Sequence, residues 1–344
     1  MVKVSIIVPI FKAETFLRKC IDHLCNQTLQ DIEIILVDDG SPDQCPIICD
    51  EYAKQDRRVH VIHKPNGGVS AARNDGIRQA VGEYIIFCDS DDWMEENGLE
   101  IMYMKAKETN ADVVIGDVYQ VTGEQRKYVS FYRREFVTED REHIDHLIQA
   151  DIYRTYCPDP PEEGPAFGYG GPWNKLVRRE LLMKQHIEFD VRLKGIFDDI
   201  QYTAYVLFAA KTIAYIRKPV YNYNIIGSSM THTFKPNVLD INQAIFRGWE
   251  EFFAKTGQRK VYEKAYDACV LRRIEESIRL YFINPQNQET SAVLKKEFRR
   301  MLNEEPYRSA VRNVERHKLS KKQKIISVAG KIGMITPIWM IYNR

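Results

Sequence analysis

The chain has 344 residues, 44% of them apolar, enough to bury one large core or two modest ones. Its 49 basic and 48 acidic side chains leave a formal charge of +1, so no global field favours nucleic acid or another polyanion. Seven cysteines, an odd number without the spacing of a disulfide framework or a zinc knuckle, read as reduced packing thiols of a cytosolic protein.

The opening "MVKVSIIVPIF" has the basic and apolar flavour of a signal peptide. Its apolar run is short, no small-residue cleavage site follows, and charges arrive at once, so it reads as a first strand. Strands and helices then alternate to residue 117. The strands are "KVSIIVPIF", "IEIILVDD", "VHVIH", "GEYIIFCD" and "ADVVIGDV"; the helices include "ETFLRKCIDHLCNQ", "VSAARNDGIRQAV" and "LEIMYMKAKETN". Continuous apolar runs, rather than alternating ones, suit strands covered on both faces. That rhythm predicts an α/β fold with a mostly parallel, Rossmann-like sheet, whose ligands sit beyond the carboxyl ends of the strands. Asp38, Asp39, His63, Asp89 and Asp91 fall at such ends and are expected to converge on one crevice.

After residue 118 the rhythm changes. "YQVTGEQRKYVSFYRREF" reads as irregular hairpin strands, and the Pro- and Gly-rich "CPDPPEEGPAFGYGGPW" as a long loop of the kind that closes over sites. "DDIQYTAYVLFAAK" is expected as a helix and "KPVYNYN" as a strand. From about residue 237 the chain reads as helical, which gives domains of 1–235 and 236–344 with a soft boundary near 230–240. The last segment, 318–344, joins the basic run "RHKLSKKQK" to the apolar "IISVAGKIGMITPIWMIY". Lys331 and Pro337 interrupt it, so it does not read as a span. It suits an anionic membrane surface, with Trp339 and Tyr342 near its end; a helix docked on its own domain or in an oligomer is the alternative.

The densest chemistry is "FCDSDDWM". Three carboxylates within four positions repel one another, so the turn expects a cation. Hard oxygen ligands in a short turn suit Mn2+ or Mg2+, which complete their shells with water and substrate phosphates. Asp89 and Asp91 form this D-x-D. Such a pair also occurs in solvated turns, but its place after a buried strand, beside the Asp38–Asp39 strand end, favours the metal. Asp39 is a candidate acceptor for the imide N–H of a uracil, and Ser41 a candidate cap of the next helix. Arg73 could meet phosphates, anchor the acidic turn or form a structural salt bridge. Asp198 and Asp199 precede an apolar helix, where the dipole favours acids. His232 is a candidate third metal ligand; a lone histidine is also a common structural residue.

Taken together, "VSIIVPIF", "LCNQTLQDIEIILVDDGSPD", "NGGVSAARNDGI", "GEYIIFCDSDDW", "PWNKLVRRELL", "GIFDDI" and "KPVYNYNIIGSS" resemble the family 2 glycosyltransferases, inverting enzymes on the GT-A fold. The resemblance runs in order over roughly two-thirds of the chain. It implies a GT-A domain followed by a helical C-terminal region, a nucleotide-sugar donor, usually a UDP-sugar, and a divalent metal. It places Pro9 and Phe11 beside the nucleoside, with Phe11–Lys12 where the family usually has Tyr-Asn. It matches Asp39 to the uracil-binding acid, Asp89 and Asp91 to the D-x-D, and Asp199 to the catalytic base, with Asp198 replacing the usual Glu. The implied acceptor is a growing glycan or lipid-linked saccharide, and the implied location is the cytoplasm, extending to the inner face of the cell membrane. Two rivals stand beside this reading. A phosphatase of the haloacid dehalogenase type also uses an Asp-rich strand end, although it has Thr or Val where Asp92 stands here and begins its fold with that strand. The other rival is a non-catalytic nucleotide-sugar-binding protein.

Overall fold

In this computed structural model the described residues are 1–162, 169–193, 197–225 and 234–342. The chain divides into two compact units, Met1–Asp151 with Pro158–Gly227, and Ile152–Cys157 with Ser228–Arg344.

The first unit opens with the alternation expected: β1 (Val4–Ile10), α1 (Glu14–Cys25), β2 (Ile32–Asp38), α2 (Cys45–Gln55), β3 (Val59–His63), α3 (Val69–Gln79), β4 (Tyr84–Phe87), the short β5 (Trp93–Met94) and α4 (Gly98–Thr109). It continues with β6 (Val113–Thr122), β7 (Gln125–Val129), β8 (Phe136–Thr138), α5 (Arg141–Ile152), β9 (Lys175–Arg178), α6 (Arg179–Gln185), α7 (Asp198–Ala209) and β10 (Ile213–Asn224). Every residue of β1, β2 and β4 is buried, as unbroken apolar runs require.

The sheet order is β3-β2-β1-β4-β9-β6-β10-β5, with β7 on β6 and β8 on β10. Strands β1 to β4 are parallel, as are β6 and β10. Between β4 and β6 lies β9, antiparallel to both. Its four residues follow directly on a 3-10 turn at Pro172–Asn174, and so short a run is silent to periodicity. Strand order reverses at β1, the switch point where a crevice opens in such sheets. In-step pairing of β1 with β2 and β4 sets Asp38 beside Ile10 and Phe87 beside Ile7, so acidic loops flank β1 on both sides.

Helix α3 approaches β1 closely because of Gly76. A Cβ there would stand 2.3 Å from Ile7 Cγ2, an impossible overlap. This contact seats the helix that carries Ser70 and Arg73.

The second unit is helical: α8 (Val238–Thr256), α9 (Arg259–Ser277), α10 (Ser291–Asn303), α11 (Tyr307–Asn313), α12 (Lys321–Lys331) and α13 (Thr336–Tyr342). Its core holds Trp249, Phe252, Tyr262, Phe282 and Phe298. A buried polar set ties three of its helices: Asn242 Nδ2 donates to Ser277 Oγ at 2.9 Å and to Tyr307 Oη at 3.1 Å, and Arg273 Nε donates to Asn242 Oδ1 at 2.7 Å. Residues 152–157 join this unit through Tyr153 to Gln323 and Tyr156 to Glu315. Among the described residues no helix is long and apolar enough to cross a membrane.

Candidate active site

The turn after β4 is held from outside. The Asp89 N–H donates to Tyr221 Oη at 3.0 Å, and that hydroxyl donates to Asp92 Oδ2 at 2.8 Å. The Asn224 N–H donates to Asp92 Oδ1 at 2.7 Å, and Asn224 Nδ2 donates to the Asp91 carbonyl at 3.1 Å. Asp92 is buried and braces the turn against β10. Asp89 and Asp91 are left nearer solvent, with Asp89 28% exposed. Burial, and then the neighbouring Asp89, raise the Asp91 carboxyl above its ordinary value. Among the described residues Asp91 has no ion-pair partner. Two hard carboxylates, one raised by the other, form a donor set that fits Mn2+ or Mg2+ completed by phosphate oxygens and water. Among the described residues no cluster of three or more His, Cys, Asp or Glu suits a metal. His232 lies outside the described residues.

Arg73 joins the two acidic motifs. Its Nη2 donates to Asp89 Oδ1 at 2.9 Å, and its Nη1 lies 3.5 Å from Asp198 Oδ2. Burial opposes the charge, but Asp89 and Asp198 outweigh it and hold the guanidinium above its ordinary value. Arg73 thus pairs with a carboxylate of each acidic motif. Its Nε is buried without a partner among the described residues.

Asp198 is buried and accepts from Ser70 Oγ at 2.8 Å as well as from Arg73. Asp199, one residue on at the start of α7, accepts from the Ile200 N–H at 2.9 Å. Burial, then the Asp198 carboxylate, push the Asp199 carboxyl up to about 6. The pair is thus unequal: one member is locked into the scaffold, and its neighbour is tuned toward neutral pH. Behind them, Lys175 is buried and donates to the Tyr169 and Gly171 carbonyls and to Asn174 Oδ1 at 2.6–2.9 Å. Burial pulls it down to about 8, while the Asp151 and Asp199 carboxylates oppose that shift.

On the other side of β1, both Asp39 oxygens accept from the chain. Oδ1 takes Lys64 Nζ at 2.8 Å and the Gly67 N–H at 2.9 Å, and Oδ2 takes the Gly68 N–H at 2.7 Å. A carboxylate oxygen accepts two bonds, so Oδ2 keeps one lone pair in hand. Pro9 is buried within β1, and Phe11, just past it, is 46% exposed and offers a ring face. Asp38 and His63 do not open to this crevice as free groups: His63 Nδ1 lies 2.9 Å from Asp38 Oδ2, and its Nε2 lies 3.2 Å from Asp50.

Sequence reasoning missed Tyr221, Asn224, Lys64 and Lys175. Only the polar residues of the otherwise strand-like "KPVYNYN" hinted at the first two.

The model of glycosyl transferase family 2 matches residues 5–183. The glycosyltransferase GlyG of Streptococcus pneumoniae is 34% identical over 82% of this chain and 85% of its own length. The uncharacterized glycosyltransferase EpsJ of Bacillus subtilis is 30% identical over 94% of this chain and 90% of its own. Among solved structures, S. aureus TarS 1-349 in complex with UDP-GlcNAc matches with a TM-score of 0.60 at 17% identity, over 99% of this chain and 90% of that one. A mannosyltransferase of Pyrobaculum calidifontis in complex with GDP-Man and Mn2+ matches at 0.50 and 12% identity, over 97% and 87%.

Proposed function

The chain belongs to glycosyl transferase family 2, with the GT-A fold, and on that premise we propose that it moves a sugar from a UDP-sugar, with inversion, to a hydroxyl of a growing glycan or lipid-linked saccharide. Family membership makes it a glycosyltransferase enzyme and does not favour the phosphatase or the non-catalytic rival. The observation that carries the finer reading is the shared guanidinium: Arg73 reaches Asp89 of the D-x-D and Asp198 of the acidic pair, so diphosphate side and base side meet.

Phe11 offers its face to the nucleobase, and Asp39 Oδ2 its remaining lone pair to the imide N–H. Asp89 and Asp91 would hold Mn2+ or Mg2+, with His232 a further candidate ligand. Bound there, the cation supplies neutralisation of the charge that grows on the departing diphosphate. Asp199 takes the proton of the acceptor hydroxyl as its oxygen attacks the anomeric carbon from the face opposite the diphosphate. The new C–O bond forms as the old one breaks, and its electron pair leaves with UDP. Residues 1–235 carry donor binding and chemistry; the helical region 236–344 carries acceptor preference, at the cytoplasmic face of the cell membrane.

Titration calorimetry with UDP tests the donor site. Affinity should fall steeply when EDTA replaces Mn2+, and again in Asp91→Ala. Unchanged affinity in both measurements rejects a metal bridge between the turn and the diphosphate.

A further inference from the structure

Helix α12 has two apolar faces. Its start is fixed by a capping box, in which Ser320 Oγ accepts the Gln323 N–H and Gln323 Oε1 accepts the Ser320 N–H. One face is locked inward. Ile326 and Ser327 are fully buried, Ser327 Oγ donates to the Val311 carbonyl at 2.9 Å, and Gln323 bonds Tyr153 and Glu275. The helix therefore cannot roll to hide its other side.

That other side carries Ile325, Val328 and Ile332, which are 38%, 47% and 62% exposed. Steps of three and four residues place them in one stripe. Lys321 lies in line with the stripe, and Lys324 and Lys331 flank it. None of these three lysines has an ion-pair partner among the described residues. Met334 and Met340, later in the same segment, are also exposed. Residues 316–342 contain Arg316, Lys318, Lys321, Lys322, Lys324 and Lys331, and no Asp or Glu.

The aromatic residues expected to anchor this segment in lipid point elsewhere. Trp339 packs between Phe282 and Phe298, at 6.2 and 5.2 Å between ring centroids, and Tyr342 Oη donates to Glu275 at 2.9 Å. Their indole and phenol serve the unit's own core.

We propose that the Ile325–Val328–Ile332 stripe with its flanking lysines is a docking surface for an anionic lipid bilayer. Branched apolar side chains enter the acyl boundary while lysine stems extend their ammonium groups to phosphate headgroups. A second copy of this chain suits the face poorly. A two-fold contact would set lysines against lysines, with no acid in the segment to answer them. The proposal deepens the placement at the inner membrane face given above and rests on it for its purpose, since a lipid-linked acceptor lies in that plane.

Vesicle flotation of the full chain tests it, with phosphatidylcholine vesicles and the same vesicles carrying phosphatidylglycerol. Binding should require the anionic lipid and weaken with salt. It should fall about tenfold or more in Ile325→Ser/Val328→Ser/Ile332→Ser, and similarly in Lys321→Gln/Lys324→Gln/Lys331→Gln. Val328→Trp, which enlarges the stripe outside the core, should strengthen it. UDP calorimetry on the same preparations reads the active site separately and should not change. Wild-type protein that fails to float, or variants that float equally well, overturn the proposal. So does a serine variant that turns a dimer into a monomer in light scattering while lipid has no effect.

Discussion

At the scale of single residues, Asp198 and Asp199 are adjacent carboxylates given opposite work by their surroundings. Asp199 is raised to about 6 by burial and by Asp198, so it is mostly an unprotonated base at neutral pH. With Asp199 as the proposed base, rate should fall as pH drops through 6, about tenfold per unit, as that carboxylate takes up a proton. Asp199→Asn should lower kcat by about 10²-fold or more with the UDP-sugar Kd nearly unchanged. The same group has a stability signature of opposite sign. Its folded pKa lies above its ordinary 3.8, so the folded chain binds more protons between those values and loses stability as pH rises through that window. Asp199→Asn should remove this cost and raise stability at pH 7 by on the order of 1–2 kcal/mol, read by denaturant unfolding. Asp198→Asn should behave otherwise. It weakens a buried ion pair to Arg73, so it should destabilise by about 1–3 kcal/mol and harm transfer less than the Asp199 change. If Asp198→Asn is the more damaging to kcat and Asp199→Asn transfers normally, the base is the other residue.

At the scale of elements, β10 decides where the acidic turn sits. Tyr221 and Asn224 make four hydrogen bonds to Asp89, Asp91 and Asp92, so the turn is positioned by a strand more than a hundred residues downstream. Tyr221→Phe removes one acceptor and one donor and leaves buried Asp92 short of a partner. It should cost about 1–3 kcal/mol in stability and weaken Mn2+-dependent UDP binding, with metal-free binding little changed. Equal Mn2+ dependence in wild type and variant would show that the turn keeps its shape unaided. Long buried runs made β1, β2 and β4 and their acidic ends legible, because burial on both faces leaves a local mark. Asp39, Asp89 and Asp91 could be singled out for the same reason, each at or just past the end of such a run; the acidic pair reads locally as ordinary helix-start acids, and only the family resemblance gave Asp199 a catalytic role. Tyr221, Lys64 and β9 could not be singled out, since their roles depend on partners distant in sequence. Trp339 and Tyr342 were legible as an aromatic pair but not in direction, because α13, "TPIWMIY", is apolar nearly all round and does not announce which side is docked.

At the scale of the whole molecule, each unit carries its own core. In the first it lies on a sheet whose central strands are wholly buried; in the second it gathers Trp249, Phe252, Tyr262, Phe282 and Phe298 among helices. Donor contacts assigned to Phe11, Asp39, Asp89 and Asp91 all fall in the first. A ligand that binds only folded protein stabilises what it binds by RT ln(1 + [L]/Kd), about 2.7 kcal/mol at a hundredfold excess over Kd. Scanning calorimetry should therefore resolve two transitions, of which UDP with Mn2+ raises one and leaves the other in place. The unmoved transition should respond instead to Trp249→Ala, which empties a fully buried site in the helical unit and should cost about 3–5 kcal/mol there. Cutting the tail is therefore no clean test of the bilayer face. Removing residues 318–344 would strip Trp339 from Phe282 and Phe298 and unfold the unit it was meant to probe. A single transition that ligand and Trp249→Ala both move as one would show instead that the two cores melt together, and that damage to the helical region reaches the donor site through stability alone.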